Sequence, residues 1–455
     1  MKEYDVVVIG SGSGAIIASR ALASNQKVAL IDKGPLGGTC LNVGCIPSKM
    51  LIYPADVIAE IQGAEKLGIT AEIKAIDFNS IMDRMRKTVT EGQNEMREGI
   101  NQARNLDFYK DEGYFTDNYT LNVKGKEIRG KKIFIVSGAR PLIPPIKGID
   151  TISYLTNENV LQLQKKPNSL VIIGGGYIAA EYGHFFAAMG TVVTILQRGP
   201  RLVPAEEPEI SDLLKKKMEQ RMTVHINTEA VKVKEQKDTY TVEGKDTKTG
   251  KEREITAEKV MVAAGRRSNA DLLHVENTGV ETDKKGYIVV NEYLETTKEN
   301  IWAFGDAIGK EMFRHVANAE ADVAWHNSIH DGKVTFDYSA APHAVFSYPQ
   351  VASVGLTEEQ AKKEHSILVG TARYADVAKG MAMMEDNGFA KAIVEKDSWK
   401  ILGFHIIGPH APILIQEVID AMAVGGSIQP IGEGMHIHPA LPEVVVTAFS
   451  RLREP

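Results

Sequence analysis

The sequence predicts an α/β protein in which two parallel βαβ units are followed by a C-terminal α+β domain. Two observations predict the paired units. A short apolar strand runs into a glycine-rich turn and a helix at Gly10, and the same order recurs at Gly174. A third observation predicts the separate C-terminal domain: after Ala341 the pattern changes to several strands followed by helices.

Composition places the chain among ordinary globular proteins. It has 455 residues, enough for two to four domains, of which 43% are hydrophobic and 25% charged. The net charge is -6 and the basic residues are scattered, so no nucleic-acid or membrane surface is indicated. The N-terminal apolar run is too short for a signal peptide, and no stretch is long enough to span a bilayer. We expect a cytoplasmic protein with neither kind of partner.

The first βαβ unit carries the features of a dinucleotide site. An apolar strand, Asp5 to Ile9, leads into the turn Gly10-Ser-Gly12-Ser-Gly14 and a helix, and the second strand ends at Asp32. The glycines permit a tight turn and leave room for a pyrophosphate at the helix N-terminus. Asp32, 22 residues after Gly10, can accept hydrogen bonds from ribose hydroxyls. A Rossmann-like dinucleotide-binding domain is therefore predicted.

The only two cysteines, Cys40 and Cys45, lie in a glycine-rich segment at residues 37–49. A single short-range disulfide adds little stability. Four intervening residues fit neither a thioredoxin-like centre nor a zinc site, so no metal is expected. A redox-active pair remains, which suits a reducing compartment. A helix that begins near Ile46 would favour the thiolate at Cys45.

A second βαβ unit begins 164 residues after the first. A strand from Ser169 to Ile173 leads into the turn Gly174-Gly-Gly176-Tyr177, then a helix, and then a strand from Thr191 to Leu196. Two such units predict two dinucleotides, each bound in its own Rossmann-like domain.

The end of the second unit differs from the end of the first. Its last strand runs into Gln197-Arg198, with Arg201 three residues on, where an acid would receive a ribose 2′-hydroxyl. An uncharged residue followed by arginine accommodates a 2′-phosphate. We therefore expect NADPH to be preferred over NADH, although solvation of a loop by these arginines is the alternative.

Two later segments place further polar groups. The apolar strand that begins at Asn300 ends in Gly305-Asp306, so a carboxylate lies at the carboxyl end of a strand, where α/β sheets bind ligands. Near the C-terminus, Glu443 follows His438 by five residues across a proline-bounded turn. Such a pair can fix the imidazole tautomer and raise its basicity. A surface turn with no role is the alternative.

In their order and spacing, these segments resemble the class I FAD-dependent pyridine nucleotide-disulfide oxidoreductases. This family includes dihydrolipoamide dehydrogenase, glutathione reductase, mycothione reductase and mercuric reductase. The resemblance covers nearly the whole chain. It implies an FAD-binding domain at 1–145 and 270–335, an NAD(P)-binding domain at 146–269 and a dimerisation domain at 336–455.

The resemblance also implies roles on the flavin side of the site. Gly10, Gly12 and Asp32 would hold the adenosine half of FAD, and Asp306 its ribityl part. Cys40 would attack the substrate. Cys45 would lie against the flavin as the charge-transfer thiolate.

The remaining implied roles concern the nicotinamide side and the dimer. Lys49 and Glu181 would pair beside the flavin, and Tyr177 would shield the nicotinamide face. His438 with Glu443 would serve Cys40 of the other subunit, so a homodimer is expected. The other residues expected in the cofactor sites are Gly113, Gly138, Gly174, Gly176, Gln197, Arg198 and Gly265.

Two functional hypotheses follow from the resemblance. Segments beginning at Lys49, His315 and His438 resemble mycothione reductase most, which predicts an NAD(P)H-dependent reductase of a small disulfide that serves cell redox homeostasis. Lipoamide enzymes are the close second, which predicts oxidation of a dithiol within a 2-oxo-acid dehydrogenase complex. Mercuric reductase needs a further cysteine pair, and soluble transhydrogenase lacks the first cysteine, so both are disfavoured. A flavin sensor or general diaphorase would leave His438 without a role.

Overall fold

The computed structural model describes residues 1–455. In the first part of the chain the helices are α1 (Gly14–Ala23), α2 (Gly38–Asn42), α3 (Cys45–Gln62) and α4 (Phe78–Gln102). The strands of this part are β1 (Lys2–Ile9), β2 (Val28–Ile31), β3 (Leu106–Tyr109), β4 (Gly113–Asp117), β5 (Thr120–Val123), β6 (Lys126–Ile135) and β7 (Ala139–Pro141).

The middle of the chain contains the helices α5 (Tyr177–Ala188), α6 (Pro208–Met218) and α7 (Arg314–Ile329). Its strands are β8 (Ser169–Ile173), β9 (Val192–Leu196), β10 (Thr223–His225), β11 (Thr228–Gln236), β12 (Thr239–Asp246), β13 (Glu252–Ala257), β14 (Lys259–Val262), β15 (Arg266–Ser268) and β16 (Ile301–Ala303).

The last part of the chain contains the strands β17 (Pro342–Val345), β18 (Val351–Gly355), β19 (Ile367–Arg373), β20 (Phe389–Glu395) and β21 (Ile401–Ile407). Its helices are α8 (Glu358–Ala361), α9 (Ala378–Ala382), α10 (Ala411–Leu414), α11 (Gln416–Ala423), α12 (Gln429–Glu433) and α13 (Glu443–Ser450). No helix of the protein is both long and apolar enough to cross a lipid bilayer.

The first sheet has the order β3-β2-β1-β6-β5-β4, and β16 pairs with the free edge of β6. Strands β1, β2, β3, β6 and β16 run parallel to one another, whereas β4 and β5 form an antiparallel extension on β6. One hydrophobic core joins residues 4–136 to residues 270–325. The polypeptide therefore leaves this unit after β6 and returns to it at about residue 270, before β16.

The second unit repeats the arrangement on a smaller scale. Strands β10, β9, β8 and β14 form a parallel sheet, and β11, β12 and β13 form an antiparallel sheet beside it. In both units a glycine turn follows the central strand, β1 or β8, and opens the helix that crosses back over the sheet. The predicted pair of Rossmann-like units is confirmed.

The C-terminal unit is an antiparallel sheet of order β17-β18-β21-β20-β19, and the helices α10, α11, α12 and α13 share its core. The predicted α/β fold with a C-terminal α+β domain is confirmed. The sheets and cores described above support the domain limits expected from the sequence, and we propose 1–145 with 270–335, 146–269, and 336–455.

Candidate active site

The two glycine turns are built in the same way. Gly10 has φ +108°, and a Cβ there would lie 2.1 Å from the carbonyl oxygen of Val136. Gly174 has φ +120°, and a Cβ there would lie 2.1 Å from the carbonyl oxygen of Ala263. A side chain at either position would be strained and would collide with the backbone, so both turns require glycine. The likeness of the two sites supports their interpretation as two nucleotide-binding turns.

A cleft of about 520 Å³ opens at the carboxyl ends of the first parallel sheet. Among the predicted site residues, those that line it are Gly10, Gly12, Asp32, Cys40, Cys45, Gly113, Gly138 and Asp306. The hydroxyl of Ser137, which also lines the cleft, is buried and has no hydrogen-bond partner within the chain. A buried polar group without a partner is rare, so it points to a ligand group in the cleft. The glycine cradle and the elongated set of polar groups fit a dinucleotide such as FAD.

Two carboxylates at the ends of strands line this cleft. Asp32 accepts hydrogen bonds from the backbone N–H of Ser11 at 2.7 Å and of Gly34 at 2.9 Å, which hold it at the end of β2. Asp306 lies 3.2 Å from the guanidinium of Arg266. Burial raises the pKa of Asp306 even though Arg266 opposes the rise. Both acids lie where the sequence predicts, one on either side of the glycine turn.

A buried glutamate that the sequence reasoning did not single out supports Asp306. Glu320 on α7 accepts a hydrogen bond from the backbone N–H of Gly305 at 2.7 Å and another from the hydroxyl of Tyr338. Burial raises the pKa of Glu320 to about 7 against the lowering effect of these hydrogen bonds. Its sequence signal was weak, because a lone glutamate within a helix is usually solvated.

The two cysteines belong to consecutive helices. Cys40 lies in α2 and is half-buried, and Cys45 begins α3 and is exposed to the cleft. The pKa of Cys40 is lowered to about 6, chiefly because the Cys45 thiol donates a hydrogen bond to its sulfur. The nearby guanidinium of Arg314 and the backbone N–H groups of Cys45 and Ile46 lower it further, while burial opposes them.

The two sulfurs therefore share one proton. The pKa of Cys45 is raised, chiefly because its thiol donates a hydrogen bond to the sulfur of Cys40, and further by burial and by the neighbouring charge of Cys40. This reverses the expectation that the helix N-terminus favours a thiolate at Cys45. Helix α3 begins as predicted, but its first N–H groups favour the charge on Cys40.

Helices α3 and α5 bring the two nucleotide-binding units together behind the cysteines. The ammonium of Lys49 lies 2.8 Å and 2.9 Å from the two carboxylate oxygens of Glu181. The Glu181 side chain is only 6% exposed, and it also accepts a hydrogen bond from the backbone N–H of Phe346 at 3.1 Å. This partly buried ion pair, in which one ammonium contacts both carboxylate oxygens, links the two units.

The second nucleotide-binding turn opens toward another cleft of about 670 Å³, which Gly176 and Tyr177 line. Burial raises the pKa of Tyr177 to about 12, so its phenol stays neutral at physiological pH. Gly174 and Gly265 line neither cleft, although both have backbone conformations that favour glycine.

The residues at the end of β9 are open to solvent. The amide of Gln197 donates a hydrogen bond to the carbonyl oxygen of Arg201 at 2.9 Å and closes a loop there. The side chain of Arg198 is 77% exposed and lies 3.7 Å from Glu229. An exposed pair at this distance is weak, so Arg198 is free to turn toward a ligand.

The His438 and Glu443 pair exists as predicted but lies apart from the cysteines of the same chain. The Nδ1 atom of His438 lies 2.8 Å from the Glu443 carboxylate, which also accepts a hydrogen bond from the backbone N–H of Ala440. These hydrogen bonds lower the pKa of Glu443. His438 is 71% exposed, and it does not line the cleft that contains Cys40.

One cluster of acids elsewhere resembles a metal site. Glu207, Glu209 and Glu358 bring carboxylate oxygens close together. The ammonium of Lys391 lies 2.9, 3.0 and 2.6 Å from these three carboxylates, so the cluster already contains its cation.

Within one chain, a dithiol faces a dinucleotide cleft, and a buried ion pair joins this cleft to a second nucleotide-binding unit. Such a construction passes electrons from one nucleotide to the other and on to sulfur. It defines an NAD(P)H-dependent, FAD-containing disulfide oxidoreductase.

Comparison with known proteins agrees. Residues 4–322 match the family model described as pyridine nucleotide-disulphide oxidoreductase, and residues 341–449 match the dimerisation domain of that family. The chain belongs to this family, uses FAD and NAD(P)H, and carries the domain through which the family dimerises.

Individual relatives cover nearly the whole chain. Mycothione reductase of Mycobacterium tuberculosis is 36% identical over 100% of both chains. Dihydrolipoyl dehydrogenase of Geobacillus stearothermophilus is also 36% identical, over 98% of this chain and 95% of the relative. Among solved structures, the HOCl-induced flavoprotein disulfide reductase RclA from Escherichia coli superposes with a TM-score of 0.87 at 29% identity, covering 98% of this chain and 99% of that one.

Proposed function

We propose that the enzyme uses NADPH to reduce a low-mass disulfide through FAD and the Cys40 and Cys45 pair. The observation that carries this proposal is that both cysteines line the cleft whose residues fit FAD. Cys40 has its pKa lowered to about 6 and is a thiolate at neutral pH, while Cys45 retains the proton. A thiolate is the attacking species in disulfide exchange, so the pair is ready to open a substrate disulfide.

The proposed reaction consumes one NADPH, one proton and one disulfide, and it yields NADP⁺ and two thiols. FAD held by the cleft of Gly10, Asp32 and Asp306 would supply the transfer of two electrons from the nicotinamide to the disulfide of Cys40 and Cys45. The Cys40 thiolate then attacks one sulfur of the substrate, the substrate S–S bond breaks, and the first thiol leaves with a proton. Cys45 loses its proton and attacks the sulfur of Cys40, which expels the second thiol and restores the protein disulfide.

We assign the remaining site residues by their positions in the two clefts. Asp32 would receive the ribose hydroxyls of the FAD adenosine, and Asp306 would receive hydroxyls of the ribityl chain. The ion pair of Lys49 and Glu181 would hold the cysteine helix against the helix that carries Tyr177. Tyr177 would shield the nicotinamide face.

We assign the proton transfer to His438 of the other subunit in a homodimer. Glu443 holds its ring through Nδ1, which leaves Nε2 for the leaving thiolate. His438 is largely exposed in the single chain and belongs to the part that matches the family's dimerisation domain. A catalytic base in that position is complete only when a second subunit covers it.

Two relatives have the same sequence identity to this chain and support two different substrate classes. Mycothione reductase supports a free low-mass disulfide. Dihydrolipoyl dehydrogenase supports lipoamide, delivered within a 2-oxo-acid dehydrogenase complex. Exposed Arg198 in place of an acid favours the first, because NADPH then fits better than NADH.

A substrate panel tests the proposal. Purified enzyme is assayed with NADPH and NADH against mycothiol, glutathione and coenzyme A disulfides and lipoamide, with Cys40→Ser as the inactive control. We expect turnover of one free low-mass disulfide with NADPH. Turnover of lipoamide alone, together with co-purification of an acyltransferase core, would instead assign the enzyme to a 2-oxo-acid dehydrogenase complex.

A further inference from the structure

Arg314 is a charged residue of the flavin cleft to which the sequence pattern assigns no role. It is the first residue of α7 and lines the same cleft as Cys40, Gly12 and Asp306. A Cβ placed on Gly12 would lie 3.8 Å from its Nη1 atom. The guanidinium therefore reaches the glycine turn, on the side of the cleft where the cysteine segment also lies.

The position of Arg314 is fixed by the packing of α7 along α1. One turn after Arg314, Asn318 accepts a hydrogen bond from the hydroxyl of Ser13 at 2.9 Å. One turn further on, Asp322 pairs with Arg20 at 2.5 Å. Residues spaced by four lie on one face of a helix, so these contacts hold the face that begins with Arg314 against the first nucleotide-binding turn.

Arg314 is also the cation of this cleft that has no acid partner. The other charged side chains that line the cleft are Asp32, Lys33, Asp111, Glu112, Arg140, Glu158 and Asp306. Lys33 pairs with Glu112 at 2.9 Å, and Arg140 pairs with Asp271 at 2.7 Å. The half-buried guanidinium of Arg314 makes no ion pair or hydrogen bond within the chain. Its charge is thus available to a neighbouring anion.

The neighbouring group that becomes an anion is the sulfur of Cys40. Besides the Cys45 thiol and the N–H groups at the start of α3, the positive charge of Arg314 favours the thiolate of Cys40. Asp306, which could compete for Arg314, is already paired with Arg266. Lys49 acts on Cys45, on the far side of the pair, and its charge is taken up by Glu181.

We propose that Arg314 is a positioning residue for disulfide exchange, whose unpaired guanidinium holds the sulfur of Cys40 as the attacking thiolate. This inference rests on the proposed function only in calling Cys40 the attacking sulfur. The charge state of Cys40 itself can be measured without any substrate. Because Arg314 also lies near the glycine turn, the competing role is binding of the FAD pyrophosphate.

The test measures the alkylation of Cys40 in the FAD-containing enzyme. A Cys45→Ser background leaves one thiol, and serine retains a hydroxyl that can donate to Cys40. The rate of reaction with iodoacetamide is followed from pH 5 to 9, and the product is located on Cys40 by peptide mass spectrometry. R314Q, R314K and R20Q are compared in this background. R20Q breaks the ion pair at the other end of the α1 and α7 contact and controls for loosening of the helix.

We expect R314Q to raise the midpoint of the pH profile by about one unit, which slows alkylation about tenfold at pH values below both midpoints. R314K should keep most of the wild-type profile, and R20Q should leave it unchanged. R314M is a second neutral variant should R314Q fold poorly. An unchanged midpoint in R314Q, or an equal shift in R20Q, would overturn the proposal. Loss of FAD from R314Q with an unchanged midpoint would assign Arg314 to the pyrophosphate.

These outcomes are separate from those of the substrate panel. Alkylation needs neither NADPH nor a disulfide, so a shifted midpoint supports the role of Arg314 even if every disulfide in the panel is refused. Conversely, an active enzyme with an unshifted midpoint would leave the proposed function standing and remove Arg314 from it.

Discussion

At the scale of single residues, the thiols of Cys40 and Cys45 differ in pKa because they have different neighbours. Both are thiols in one glycine-rich segment, and neither side chain differs chemically from the other. The hydrogen bond from the Cys45 thiol, the charge of Arg314 and the N–H groups at the start of α3 lower the pKa of Cys40, whereas the pKa of Cys45 is raised. The chemical asymmetry needed for ordered attack thus arises from surroundings alone.

The position of Arg198 leads to a prediction about nucleotide choice at the same scale. Arg198→Ala should weaken NADPH far more than NADH, because it removes a charge-assisted hydrogen bond to the 2′-phosphate of about 1.5 to 3 kcal/mol. The fold should be unaffected, since the contact with Glu229 is exposed and long. The measurement is kcat/KM for both nucleotides.

Arg201→Ala is the matched control, because Arg201 lies in the same loop and pairs with Asp212 at 3.6 Å. Arg201→Ala should lower kcat/KM for NADPH less than Arg198→Ala does. Equal losses with NADPH and NADH in Arg198→Ala would reject Arg198 as the residue that discriminates between them.

At the scale of elements, α3 and α5 are joined by two polar contacts rather than one. Beyond Lys49 and Glu181, the ring of His184 on α5 donates through Nε2 to Asp56 on α3 at 2.8 Å. Its Nδ1 accepts a hydrogen bond from Arg221 at 2.8 Å. Both contacts suit a neutral imidazole, and burial lowers the pKa of His184.

His184→Leu should therefore lower the stability of the enzyme at pH 8 by about 2 to 4 kcal/mol, because it leaves Asp56 and Arg221 without their buried partner. A pKa that is lowered on folding gives stability that is present above the unfolded value, about 6.5 for histidine, and is lost as pH falls. The difference between wild type and variant should shrink at pH 5.5. Urea unfolding at the two pH values measures it.

His274→Ala controls for the loss of a histidine as such, since His274 is 55% exposed and its contact with Glu276 is 3.5 Å long. The free energy of unfolding of His274→Ala is expected to lie within about 0.5 kcal/mol of the wild-type value. A stability difference between wild type and His184→Leu that stays constant or grows as the pH falls would contradict a neutral His184 ring that makes two hydrogen bonds.

At the scale of the whole molecule, buried charges join the second nucleotide-binding unit to the C-terminal domain. Lys391 on β20 is 4% exposed and contacts Glu207 and Glu209 beside α6. Burial alone would lower the pKa of Lys391, but the surrounding carboxylates outweigh it and raise the pKa. Nearby, His343 pairs with Glu206 at 2.7 Å. These contacts orient the domain that carries His438.

The proposed sharing of the active site between subunits predicts the behaviour of mixed dimers. His438→Ala should lose turnover by about 10² to 10⁴, the usual worth of a general acid-base, while Cys40→Ser should be inactive. Mixing the two variants under conditions of subunit exchange gives dimers with one site that carries both defects and one that carries neither. Random exchange should restore about one quarter of wild-type activity, because half of the dimers then contain one intact site.

Flavin reduction by NADPH in the His438→Ala parent is the control, and it should stay close to wild type because it precedes the proton transfer. If verified mixed dimers show no recovery, His438 and Cys40 would act within one chain.

Much of the fold could be predicted because its signals are local. Both βαβ units were evident from a strand, a glycine turn and a helix within about thirty residues, the span over which such patterns operate. Strand β18 was not evident, since Val351–Gly355 is short and its residues are buried by partners far along the chain. The Ser353 hydroxyl on this strand reaches Glu206 in another domain, a contact that no local pattern encodes.

By itself the sequence determined the two nucleotide turns, the cysteine pair and the order of the domains. Backbone conformation at Gly10 and Gly174, and the type of residue at 40 and 45, are properties of short segments. The tertiary structure alone decided which charges meet and which remain unpaired. Arg314 lines the same cleft as Cys40, and His438 lies away from the cleft of its own chain, because domain packing brings together side chains that are hundreds of residues apart in the sequence and removes water from between some of them. The strength of the interactions between those charges depends on the exclusion of water. The proton between the two sulfurs could therefore be assigned only once the fold was known.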